Sequence, residues 1–162
     1  MKTTQHLALT TAVALSLGSG VSFAVDSGLD YSGRSSHAVS GVAVCGTQST
    51  LKTVSITAPS SGYVLVHANG TYYPNQAGRY LRVALDNAAG NSADTWYHYL
   101  GTGQSAFDAG LERYEDFAVQ KVYFVNAGTT TTYYLKGCRE NSSTTGSLYA
   151  EDFTAVFVPR RY

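Results

Sequence analysis

Residues 151–162 read EDFTAVFVPRRY. Side chains alternate along a strand, so Phe153, Ala155 and Phe157 fall on one side and Thr154, Val156 and Val158 on the other. Both sides are largely apolar, and a strand of that kind needs cover on both. Pro159 then ends the ladder, because it has no amide to donate. A final strand fit for the interior of a sheet asks what lies over each of its faces.

Working outward, the upstream chain offers further short runs with alternation or β-branched and aromatic enrichment. These are HAVSGVAV (37–44), LKTVSITA (51–58), GYVLVHA (62–68), RYLRVAL (79–85), DTWYHYL (94–100), FAVQKVYFV (117–125) and TTTYYLKGC (130–138). With FTAVFV (153–158) they make eight strands as a minimum. Turn-formers separate them, among them PSSG, NGTYYPNQAG, DNAAGNSA and NAG. Only AFDAGLERYEDF (106–117) has the composition for a turn or two of helix. Without crossover helices a parallel sheet has no route, so the pattern predicts an all-β antiparallel sandwich.

The first 24 residues carry Lys2, an apolar stretch from Leu7 to Leu17, and Ser22 and Ala24 flanking Phe23. That is the layout of a secretory signal peptide over 1–24. The apolar stretch is about half of the roughly 20 residues a spanning helix needs, so no membrane span is expected after signal removal. Residues 25–36, VDSGLDYSGRSS, read as a flexible leader, and 37–162 as one domain. The whole chain has 11 Lys plus Arg against 11 Asp plus Glu, and loss of Lys2 leaves it one charge negative. Nothing in that balance favours nucleic acid as a partner. The expected location is extracytoplasmic, secreted or periplasmic. There an even cysteine count favours a disulfide between Cys45 and Cys138, two separate buried thiols being the alternative.

The chain has no GxSxG elbow, HExxH pair, CxxC or phosphate-cradling loop, so no enzyme activity, metal or cofactor is expected. Asp86, Asn87, Asn91 and Asp94 supply oxygens suited to calcium, but their spacing fits a solvated turn better. Tyrosine is the unusual letter, with 13 copies, and its rigid rings with polar tips suit recognition surfaces. The candidate ligand-binding residues are Tyr72, Tyr73, Arg79 and Tyr80 in one loop and Trp96, Tyr97 and Tyr99 in another.

Three blocks resemble a known family in their order. KTVSITAPSSGYVLVHANG (52–70), with Pro59, Gly62 and Tyr63, resembles the strand, Pro, Gly and aromatic of the complement-component globular head. DFAVQKVYFVNAGTTTTYYLKG (116–137), with Gly128 at the turn, is similar to its long strand, turn and return strand, and DFTAVFVP (152–159) to its closing strand. The resemblance extends to tumour necrosis factor-like ligands. It implies a jelly roll of about 8–10 strands and a homotrimer, in which a neighbouring subunit covers the outer side of the final strand. Phe153, Val156, Phe157 and Val158 are then the oligomer-interface candidates. The function expected is a secreted, trimeric binding module for a macromolecular or glycan ligand. The alternative is a fibre or pilus subunit that donates its final strand to a neighbour.

Overall fold

The computed structural model describes residues 29–75, 79–89, 98–101 and 114–160. The expected signal peptide, Trp96, Tyr97, Asn91, Asp94 and residues 106–113 of the expected helical turn lie outside these. Within them are nine strands: β1 (Leu29–Ser32), β2 (Ser35–Ala38), β3 (Ser49–Thr57), β4 (Gly62–Pro74), β5 (Leu81–Asp86), β6 (His98–Leu100), β7 (Glu115–Val125), β8 (Thr130–Arg139) and β9 (Gly146–Pro159). One 3-10 turn, Val39–Gly41, follows β2, and the described residues hold no α-helix.

The strands form two sheets. The first runs β1-β9-β4-β7, with β2 also on β9, and the second runs β3-β8-β5-β6. Every strand pair is antiparallel. The pairs β2/β9, β3/β8, β4/β7 and β5/β6 nest inside one another along the sequence, and successive pairs fall in alternate sheets. A long antiparallel ribbon wound in this way is a jelly roll. The fold class is therefore the one the sequence predicts.

The core lies between the sheets, where Val64, Val66, Ala68, Phe153 and Ala155 of the first meet Val54, Ile56, Leu81, Val83, Tyr133 and Leu135 of the second. Burying such a side chain fully stabilises the fold by about 1.5–3 kcal/mol each before entropy is counted. Phe153 is fully buried here and Phe157 packs against the same cluster, so both belong to the sandwich interior rather than to an oligomer interface. Val156 and Val158 point the other way, 38% and 48% exposed.

Two expected boundaries are corrected. Within 25–36, where the sequence predicts a flexible leader, Leu29–Ser32 is β1 and β2 begins at Ser35, because both strands hydrogen-bond to β9. Side chains fasten β1 across to β3 as well: Lys52 Nζ donates to the carbonyls of Ser32 and Gly33, and the Ser55 amide donates to Asp30 Oδ2 at 2.6 Å. A register shift between Thr50 and Lys52 buries Leu51 and Lys52 consecutively. Strand β4, for its part, continues through NGTYYP, which had read as a turn.

Cys45 and Cys138 are joined in a disulfide. Around it the Cys45 amide donates to the Arg139 carbonyl and the Arg139 amide to Ala43, each at 2.9 Å, so the segment before β3 is stapled to the end of β8.

Candidate functional site

The outer face of the first sheet carries three successive zones. At the end near Gly62, directly opposed residues form two apolar rows across the strands. One row is Leu29, Val156, Leu65 and Val122, and the other is Val158, Tyr63 and Phe124. Val122 is 58% and Phe124 53% exposed, and Tyr63 meets Phe124 edge to face with centroids 5.7 Å apart. Together they make a contiguous exposed apolar strip on the outer face. The rows arise because β4, β7 and β9 each have apolar residues at both parities over this stretch, so their inward set fills the core and their outward set is left over.

A polar belt follows, two outward rows along the strands, past His67 and its neighbours Gln120 and Thr154. Asn69 Nδ2 donates to Asp152 Oδ2 at 3.3 Å, and the Asp152 amide donates to Asn69 Oδ1 at 3.2 Å. Tyr31 Oη donates to Asp152 Oδ1 at 3.0 Å, and this bond together with the carboxylate's charge raises the Tyr31 pKa above its ordinary value. The arrangement ties β1, β9 and β4 together at a register shift between Asn69 and Gly70, where Glu151 is the extra residue.

Beyond the belt lies an aromatic group. Tyr73 of β4 stands 5.6 Å from Tyr149 of β9, nearly perpendicular to it, and 5.8 Å from Tyr114, tilted by 40°. Arg34, from the turn between β1 and β2, places its guanidinium 4.8 Å over the Tyr149 ring, with Nε 3.6 Å from Glu151 Oε1. Beside them Thr71 Oγ1 donates to Asp116 Oδ1 at 2.6 Å.

The structure separates the residues that sequence grouped together. Of the first loop group, Tyr73 is in the aromatic zone just described. Tyr72 is fully buried and is no surface candidate: it shares parity with Val64, Val66 and Ala68, so its ring enters the core. Burial and the nearby Glu115 push its pKa up to about 12. Arg79 and Tyr80 lead into β5 on the other sheet, where Tyr80 is exposed and its carbonyl accepts the Glu140 amide at 3.0 Å. Tyr99 is on that sheet too, under the Arg82 guanidinium at 4.6 Å. Trp96 and Tyr97 lie outside the described residues. Tyr114 and Tyr149 were missed by sequence, since neither neighbours Tyr73 along the chain.

Two further features bear on chemistry. Asp86 does not face solvent as a cation-binding turn residue would: it accepts Lys136 Nζ at 2.6 Å and the amides of Asn87 and Ala88. A cleft of about 250 Å³ opens between the sheets at β5, β6 and β7, with Val83, Leu85 and Val119 in its walls and His98, Gln120 and Lys121 among its polar lining. Among the described residues no three of His, Cys, Asp and Glu converge as metal ligands, and no helix is long and apolar enough to cross a membrane.

No protein-family model and no curated protein sequence matches the chain. Solved structures similar to it include the Eiger TNF of S. frugiperda, at 10% identity over 83% of this chain and 94% of that one, with a TM-score of 0.40. The CBM22-1 xylan-binding domain of Paenibacillus barcinonensis Xyn10C is similar at 14% identity, 83% and 88% coverage and a TM-score of 0.35. A chain from the infectious bursal disease virus Gt strain is similar at 13% identity over 80% of this chain, with a TM-score of 0.43, but there the match spans only 32% of the other chain.

Proposed function

We propose that this protein is an extracytoplasmic binding module that assembles as a homotrimer through the outer face of its first sheet and takes a macromolecular or glycan ligand on surface left open by that assembly. One observation carries the reading: the two apolar rows over β1, β9, β4 and β7, which no other part of the described chain covers. Packing neighbouring copies over these outward valines and Phe124 takes apolar area out of water, which favours association. The number three is proposed from the resemblance of the sequence blocks 52–70, 116–137 and 152–159 to trimeric jelly rolls. The disulfide fits an oxidising compartment. Repetition of one modest site three times raises avidity without any new contact.

The fibre reading loses its motive. It needs β9 as a strand to donate, whereas β9 is hydrogen-bonded along one side to β4 and along the other to β1 and β2 of its own chain. The test is the molar mass in solution, by light scattering coupled to size exclusion, with and without reductant. A discrete trimer is expected. A monomer at all concentrations would overturn the trimer, and open-ended polymers would return the fibre reading.

A further inference from the structure

We infer that Tyr73, Tyr114 and Tyr149, with Arg34 beside them, form a site for a neutral pyranose saccharide. This rests on the binding-module reading and assigns the ligand class and place that the reading leaves open.

Three observations lead there. The first is what the rings are. Tyr73 and Tyr114 are 43% and 48% exposed and inclined to one another at 40°, so together they offer a shallow angled platform rather than a closed pocket. A pyranose has faces of C–H groups that pack on aromatic rings and an equator of hydroxyls that require hydrogen bonds, and tyrosine supplies both kinds of contact. The rows at the other end of the sheet are mostly aliphatic, with Tyr63 the one hydroxyl among them.

The second is that the platform is braced along one side. Tyr149 meets Tyr73 edge-on at 89°, and Tyr149 is itself held under Arg34, whose Nε is 3.6 Å from Glu151. Rings locked before binding lose less freedom when a ligand arrives.

The third is charge. Among the described residues bordering the rings, Arg34 is paired with Glu151 and Asp116 accepts from the Thr71 hydroxyl. The Arg34 cation is thus balanced, which disfavours an anionic ligand, while carboxylate oxygens and tyrosine hydroxyls are the acceptors and donors a hydroxyl-rich ligand requires. The Asn69–Asp152–Tyr31 belt separates this zone from the apolar rows, so a second copy seated on the rows need not extend over the rings.

The experiment uses the full chain and methyl β-glycosides of glucose, galactose, mannose and xylose, together with soluble xylan, mannan and β-glucan. Saturation-transfer NMR reads the glycosides, and affinity electrophoresis reads the polymers. Binding of at least one probe is expected, weakened at least tenfold by Tyr73→Ala and by Tyr114→Ala, with Thr53→Ala on the exposed face of the opposite sheet unchanged. Thermal midpoints of the variants show whether each is folded, and Tyr73→Phe, which keeps the ring, retains most of the binding. Probe binding that survives both alanine variants would overturn the site while leaving a saccharide-binding module. No binding to any probe would overturn the saccharide assignment, and the trimer reading stands or falls separately on the light-scattering mass.

Discussion

Gly70 sits where β4, β9 and the Phe117 ring crowd together. A Cβ there would lie 2.1 Å from the Tyr149 carbonyl oxygen and 2.7 Å from Phe117 Cε1. Backbone on one side cannot turn aside, so Gly70→Ala is expected to destabilise the fold by about 1–3 kcal/mol, read as a lower midpoint in urea. The same residue shows how sequence misled. Asn69-Gly70 read as the start of a turn, although glycine inside a strand equally marks a bulge or a close approach. Had the alternation been carried through, Tyr72 would have joined Val64, Val66 and Ala68 inward and Tyr73 would have been outward, as they are. Asp86 gives the second prediction at this scale. Burial pushes its carboxyl up, but the bonds from Lys136 and from the amides of Ala88 and Asn87 outweigh that and hold it below its ordinary value of 3.8. A carboxyl depressed in the folded state contributes stability above its unfolded pKa and loses it as pH falls through the folded value. Unfolding free energy is therefore expected to decline below about pH 4, and Asp86→Asn is expected to flatten that decline. At pH 7 the same change costs about 3–5 kcal/mol, because it leaves the Lys136 ammonium buried without its carboxylate. Urea titrations at several pH values measure both.

Among the elements, the long strands were readable and the short ones less so. β3, β7, β8 and β9 announce themselves by Thr, Val, Ile, Tyr and Phe at strand spacing. β1 and β2 do not, because LDYS and SSHA carry little apolar content; they are strands through pairing with β9 and through the grip of Lys52 and Asp30, which no local pattern reveals. The aromatic zone was hidden for a similar reason. Tyr73, Tyr114 and Tyr149 come from three different stretches of chain and meet only once β4 is flanked by β7 and β9. The disulfide acts at this scale too. It closes a loop across 93 residues of separation that contains the first residues of six of the nine described strands, β3 to β8. The chain-entropy relation gives about 4–5 kcal/mol for such a loop, so reduction is expected to lower the unfolding free energy by that order. Equilibrium unfolding with and without reductant, under conditions that keep the native baseline, checks it.

At the scale of the molecule, the apolar rows make a quantitative demand. Val122 and Val156 both lie directly opposite Leu65, one on each side. Replacing both by aspartate sets two charges in the middle of the proposed interface, where each would have to leave water. The double variant Val122→Asp, Val156→Asp is expected to weaken self-association at least about a hundredfold, equivalent to about 2.7 kcal/mol. Both positions face outward in the monomer, so the circular dichroism spectrum and the thermal transition at low concentration should stay close to those of the parent. Light scattering over a dilution series reads the association, and a variant that associates as tightly as the parent would place the interface elsewhere.

The nesting of pairs also sets a timetable. β9 is the last of the nine described strands to be synthesised, yet it lies between β4 and the two first strands, supplying the seam on both sides. Until residues 146–159 have emerged, β1 and β2 have nothing to pair with and β4 shows a bare edge of unmet amides and carbonyls. Completion of the first sheet thus waits for the last described strand, and a chain interrupted before Gly146 displays an open edge that a protease or chaperone can read as a sign of incompleteness.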